Sequence, residues 1–259
     1  MASSNPAAKS THVPETASPS VKTLDVFRIL KFARALNRAE IAERSGLARS
    51  PLRRSIKALE DAGLVRCRLD GKYTLTAFVE TPSGAQNLRS DALFEFVCGK
   101  LRDSRFYASY DITVVLLTES GELVHVESSA PQEQTHRHEP EFCDATHAAL
   151  SQLADPRLGT AIEHMEQSFG LKQSAVEAIK RAIANCRANG HIWYSDFSAG
   201  AVPITKEYGC LCAVSLEARK APRNKDEKDL VVLGDLAKAW LDEFCQVAMT
   251  FEAVETTET

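Results

Sequence analysis

The chain has 259 residues, 44% of them hydrophobic and 25% charged, enough apolar mass for one large or two modest globular cores. Its net charge of −4 hides an uneven distribution: residues 21–79 carry thirteen lysines and arginines against six acidic residues, and the remainder from 80 onward is acidic. A basic module joined to an acidic one suggests that only the first meets a polyanion. No run of eighteen apolar residues occurs, which excludes a membrane-spanning helix. The seven cysteines are odd in number and scattered, as the reduced thiols of a cytoplasmic protein are.

Residues 1–20, rich in Ser, Ala and Pro without an apolar stretch, read as a disordered arm and not a secretory signal. VKTLDVFRILKFAR (21–34) is predicted as a helix with Leu24, Phe27 and Leu30 toward the core and Lys22, Arg28 and Lys31 outside. Asn37 is the expected N-cap of a second helix, with Glu40 completing a capping box and Gly46 stopping it. A third helix is expected to start with Ser50 as N-cap and Pro51 at the first helical position. Leu52, Ile56 and Leu59 recur at i, i+4, i+7, one buried stripe. At about 100° per residue, Arg49, Ser50, Arg53, Arg54 and Lys57 share a neighbouring, solvent-facing arc. A core stripe beside a cationic stripe is what a helix lying in a DNA major groove requires. Two short alternating runs, 64–69 and 72–76, flank Asp70-Gly71, a two-residue hairpin signal. Helix, helix, basic helix, hairpin is a winged helix-turn-helix, with Arg66, Arg68 and Lys72 on the wing, where cations meet phosphate.

Thr81-Pro82-Ser83-Gly84 breaks the pattern, so the first domain is assigned to 21–80. A linker helix over 81–103 is expected to use Leu88, Ala92, Phe96 and Leu101 as apolar positions, ahead of a second domain, 104–251, and an acidic tail, 252–259. In the second domain a hairpin is expected over 111–126, turning at 119–122, and a short helix over 145–154. Another helix starts at Ser174, with Glu177 completing a capping box. It buries Val176, Ile179, Ile183 and Cys186 and stops at Gly190. Strands are expected over 191–195, 201–204 and 210–217. Leu230, Leu233, Ala237, Trp240, Phe244, Val247 and Phe251 then mark a closing helix. The class is α+β, an antiparallel sheet with helices packed on it.

His136, His138, Cys143 and His147 form H-x-H-x4-C-x3-H, which invites a metal reading, but polar-loop histidines with a core cysteine explain them more simply. Cys210 and Cys212 share a strand face and read as packed core residues before a redox couple. The chain offers no nucleophile–base pair, carboxylate dyad or clustered glycine motif, so neither an enzyme nor a cofactor is expected.

Residues 21–250 resemble the IclR family of bacterial transcription regulators. The resemblance is carried by VKTLDVFRILKFA, RAEIAERSGLARSPLRRSIKALEDAGLV and the wing DGKYTL, and further on by DATHAALSQLA, AVPI (Ala201–Ile204) and CAVSLEA. It implies a GAF-like effector-binding C-terminal domain and two partners, double-stranded operator DNA and a small organic effector, commonly a carboxylate. It also implies a homodimer or a dimer of dimers. DNA contact is then expected from Arg49, Ser50, Arg53, Arg54, Lys57, Arg68 and Lys72, although Pro51 stands where threonine is usual. Effector contact is expected from His147, Asp196, Cys210, Ser215 and Glu217. Ser215 matches the first serine of the family's last strand; Glu217 replaces the second, and His147 takes a position that is usually small. The expectation is a ligand-responsive, sequence-specific regulator in the cytoplasm. The alternatives are a metal- or thiol-responsive regulator on the same scaffold and a small-molecule enzyme.

Overall fold

Ser18 and Pro19 begin the first helix ahead of its apolar periodicity: the Ser18 hydroxyl accepts from the Val21 N–H, and Pro19 occupies the first turn, where no N–H is needed. The structure, a computed structural model, describes residues 17–33, 35–80, 85–130, 143–194, 199–207, 210–219 and 226–255. They divide into two units, Met1–Ser83 and Gly84–Thr259. Most of the expected N-terminal arm, the loop histidines His136 and His138, and Asp196 lie outside the described residues.

In the first unit, helix α1 (Pro19–Phe32) packs on α3 (Arg49–Asp61) and α2 (Arg38–Ser45). Val26, Leu30, Ile41, Leu52, Ile56 and Leu59 close its core with Val65, Tyr73 and Leu75. Each such apolar side chain contributes about 1.5–3 kcal/mol by leaving water. The phase of α1 differs from expectation. Leu24 is 65% exposed and shares an outward stripe with Val21 and Phe32, while Val26 faces inward. A cross-helix hydrogen bond from Thr23 to Ser55 and the buried Asp25, ion-paired to Arg28 at 2.6 Å, set that rotation.

The α2 capping box forms as expected: Asn37 accepts from the Glu40 N–H at 2.9 Å, and Glu40 accepts from the Asn37 N–H at 2.7 Å. Gly46 ends the helix at φ 66°, a left-handed conformation costly for a side chain with a Cβ. Helix α3 starts earlier than expected, with Ala48 at the N-cap and no side-chain cap bond, so Ser50 and Pro51 both lie within the first turn. The wing pairs β1 (Val65–Cys67) with β2 (Tyr73–Leu75). Its connection is longer than a two-residue turn. The Arg68 N–H donates to Lys72 O, and Gly71, at φ 78°, donates to Arg68 O, which leaves three residues in the loop. A short helix α4 (Ala77–Glu80) follows.

The second unit holds one antiparallel sheet of order β4-β3-β7-β6-β5, built from β3 (Tyr110–Thr118), β4 (Leu123–Ser128), β5 (Ile192–Tyr194), β6 (Ala199–Glu207) and β7 (Cys210–Ala218). Helix α5 (Ala85–Arg102) leads, through the short α6 (Phe106–Ser109), into β3. Helices α7 (Asp144–Leu150), α8 (Asp155–Phe169) and α9 (Gln173–Asn189) then separate the hairpin from the remaining strands, and α10 (Asp226–Glu255) closes the chain. Helix α8, with Pro156 in its first turn and Gly170 at its end, was not anticipated. The expected capping box on α9 is absent; Lys172 is the N-cap, and Glu177 instead accepts from Gln173.

Side-chain alternation gives the sheet two faces. Val115, Leu117, Leu211, Ala213, Ala201 and Ile192 pack beneath Ala145, Ala148 and Ala149 of α7 and the apolar stripes of α8 and α9. On the other face Gly200 and Val202 meet Leu230 and Gly234 of α10, and His125 of β4 meets Asp91 and Phe94 of α5. Pairs from Lys100 to Glu243 and from Tyr110 to Asp229 tie α5 and β3 to α10. Among the described residues no helix is long and apolar enough to cross a membrane.

Candidate nucleic-acid interface and ligand site

Burial of Leu52, Ile56 and Leu59 fixes which side of α3 meets solvent, and Arg49, Ser50, Arg53, Arg54 and Lys57 are all exposed on it. Lys57 reaches Asp61 at 2.5 Å, an exposed pair one turn on. Such a pair holds its cation weakly and yields it to a phosphate. The wing cations are arranged differently. Arg68 turns back on Asp70 of its own loop at 3.5 Å, and Lys72 is half-buried, its N–H donating to Asp70 at 3.0 Å.

Sequence reasoning missed Arg38. It opens α2, and with Ala39, Ala42, Arg49, Leu52 and Arg53 it lines a cleft of about 480 Å³ between α2 and α3. With Arg53, Ile56, Lys57 and Glu60 it lines a second hollow of about 240 Å³. Its guanidinium Nε donates to the Tyr73 hydroxyl at 2.8 Å, with Nη2 on the same oxygen. Burial pushes the Tyr73 phenol up, against the pull of Arg38, so it stays protonated and serves as acceptor. Nothing local in the chain links residues 38 and 73; only the wing's return across α2 does.

In the second unit, β7 presents Ser215, half-buried, and Glu217, exposed, on the sheet face against which α7 packs. Ser215 lies in register between Ala201 and Thr113, and Glu217 between Ala199 and Asp111. Thr113 extends the polar row by donating to Ser128 at 3.0 Å, and Asp111 accepts from Arg219 at 2.8 Å. Cys210 is a correction. Five positions from Ser215 on an unbroken strand, it points to the opposite face with Cys212, both thiols buried in the core. It therefore shares no pocket with Ser215 or Glu217. Burial drives the Cys212 thiol far above its ordinary value, which suits packing and not redox exchange.

His147 lies on α7, only 8% exposed, and neither ring nitrogen has a hydrogen-bond partner. Asp144, one turn earlier, is 4.0 Å from its Nδ1. Burial depresses the His147 pKa to about 4, so the ring is neutral at pH 7. Tyr194 of β5 lies close enough to Asp144 that the carboxylate adds to the upward push that burial gives its phenol. Asp144 and Tyr194 were also missed. The i, i+3 spacing of Asp144 and His147 was visible in DATH, whereas Tyr194 comes near only through sheet register. Cys143 sits at the N-cap of α7, its thiol raised by burial. Among the described residues no group of three or more His, Cys, Asp or Glu is placed to hold a metal ion.

Geometry and sequence together define the first unit as a DNA-binding winged helix-turn-helix, and the family model of that description matches residues 27–66. No curated protein sequence matches the chain. Among solved structures it is similar to an IclR family transcriptional regulator from Brucella abortus (18% identity, 88% of this chain and 92% of that one, TM-score 0.42). It is likewise similar to an IclR homologue from Microbacterium hydrocarbonoxydans in complex with 4-hydroxybenzoate (16%, 87% and 100%, 0.38). A third is the repressor BlcR of Agobacterium tumefaciens (14%, 90% and 98%, 0.37).

Proposed function

We propose that this protein is a transcription regulator of the IclR type that binds a specific duplex through α3 and changes its affinity for that duplex when the second unit binds a small organic molecule. The observation that carries the reading is the α3 surface: four cations on one exposed arc, beside a fully buried flank, within the segment matching a DNA-binding model. Phosphate neutralisation supplies most of the affinity, and one bidentate arginine–guanine contact would add about 1–3 kcal/mol of discrimination. The polar row at Ser215, with the buried His147 above the same sheet face, is the place we assign to the ligand. The exposed apolar stripe of Val21, Leu24 and Phe32 on α1 supports a homodimer, whose two α3 helices would read a two-fold-related pair of half-sites. The test is selection of duplexes from a random pool, followed by binding of the selected duplex to Arg53→Ala/Arg54→Ala. The double variant should lose binding while keeping its thermal transition; unchanged affinity would remove the reading.

A further inference from the structure

Helix α7 lies on the sheet as a small-residue helix, with Ala145, Ala148 and Ala149 fully buried. One position among them carries an imidazole. Both nitrogens of His147 are out of contact with water and unmet by any protein group. A buried polar group without a partner costs about 1–3 kcal/mol, and an apolar side chain at 147 would avoid that cost. An unmet pair of this kind is what a bound molecule completes.

The nearest charge decides which nitrogen is available. Asp144 Oδ1 is 4.0 Å from Nδ1, too far for a hydrogen bond but near enough to favour one tautomer. A hydrogen on Nδ1 faces the carboxylate favourably, whereas a lone pair there would oppose the oxygen's own. That arrangement favours the hydrogen on Nδ1, with Nε2 as the acceptor. An acceptor needs a donor. A carboxylate ligand has no hydrogen to give, and it would also lie close to Asp144.

We propose that the molecule sensed at His147 is an uncharged or cationic hydrogen-bond donor, an alcohol, phenol or amine, and not a carboxylate. The proposal rests on the ligand-responsive reading above and narrows it. The depressed pKa of the ring agrees with it, since burial resists the imidazolium form that would pair best with an anion. Tyr194 stands on the same sheet face, in register with Ala199, near enough to feel the Asp144 carboxylate.

The experiment is isothermal titration of the full chain at pH 7 with benzyl alcohol, benzylamine and benzoate, and with 1-butanol, butylamine and butyrate as an aliphatic series. Each is run in two buffers of different ionisation enthalpy, so that proton uptake is read separately. At least one donor should bind with no net proton uptake and at least tenfold more tightly than the matching carboxylate. His147→Leu should weaken that binding at least tenfold, and His147→Gln, which keeps an acceptor, should weaken it less. A carboxylate that binds as tightly as its donor counterpart, or takes up about one proton on binding, overturns the proposal, and the wild-type proton count decides even if His147→Leu fails to fold. Donor binding indifferent to His147→Leu also overturns it. If such a carboxylate also shifts duplex affinity, the regulator reading stands and this inference alone falls; if none of the six binds, both the inference and the ligand-responsive reading fall.

Discussion

Arg38 and Tyr73 are joined through both side chain and neighbouring backbone. While the guanidinium donates to the phenol oxygen, Leu36 and Tyr73 exchange two backbone hydrogen bonds, at 3.0 and 2.7 Å. The entrance of α2 and the second wing strand are thus one rigid piece, and Arg38 is held beside Arg49 and Arg53 instead of swinging freely. Because an ordered cation loses less entropy on meeting a phosphate, Arg38→Ala should weaken duplex binding and lower the salt slope by roughly one counterion. Tyr73→Phe should leave the slope in place while costing about 1 kcal/mol of stability. Fluorescence anisotropy over a salt series, paired with urea unfolding, separates the two.

The cations of α3 carry a steeper expectation. Arg53→Ala/Arg54→Ala should lower the salt slope by up to about two counterions as well as abolishing tight binding. Arg68→Ala should change affinity much less, because Arg68 is already engaged with Asp70. Equal losses from Arg68→Ala and from the α3 pair would show that the wing, and not the helix, carries the contact.

The α2 capping box gives a stability prediction independent of DNA. Asn37→Ala removes the acceptor for the Glu40 N–H and should lower unfolding free energy by about 1 kcal/mol. Asn37→Asp should be nearly neutral, since it retains the acceptor and favours the positive end of the helix dipole. Denaturant titrations of the three chains would test this.

His147 makes part of the stability depend on pH. Its pKa is about 4 when folded against an ordinary 6.5, so between those values the unfolded chain binds a proton that the folded chain refuses. The contribution is intact above pH 6.5 and is lost as pH falls toward 4, about 3 kcal/mol in all. His147→Gln should flatten this part of a stability–pH curve measured by chemical denaturation.

Gly200 is a packing prediction. A Cβ there would lie 2.4 Å from the Ile192 carbonyl oxygen and 2.4 Å from Leu230 Cδ1, so β5 or α10 must move to admit it. Gly200→Ala should cost about 1–3 kcal/mol and lower Tm by several degrees in a thermal scan. Gly99→Ala, with open space around it, should not.

The first unit was largely legible because its signals are local. The capping box at Asn37 and Glu40, the i, i+4, i+7 stripe of α3 and the αL glycine at 46 each lie within one helical turn or two. The phase of α1 was not, since Leu24 and Val26 are both apolar and the selection between them rests on the Thr23–Ser55 contact and the burial of Asp25. Helix α8 was overlooked because its apolar positions, Ala161, Ile162 and Met165, are few and sit among polar residues. At the ligand site we propose, Ser215 and Glu217 could be placed together from strand period alone. The error at Cys210 has a simple cause: similarity along a strand says which residues are near, while parity says which are together. Tyr194 and Thr113 come beside that row through pairing between strands far apart in sequence, and no local pattern encodes that register.

Strand β7 divides its labour along its length: 210–214 are buried on both faces, whereas Ser215 is half-buried and Glu217 exposed. Positions 211, 213, 215 and 217 look toward α7, and 212, 214 and 216 toward the α10 side. New chemical tastes can therefore be acquired by rewriting Ser215 and Glu217 while the packing set is left untouched. Descendants of such a chain can diversify in what they sense without first becoming fragile, and a saturation library over β7 should be intolerant from 210 to 214 and at 216, and tolerant at 215 and 217.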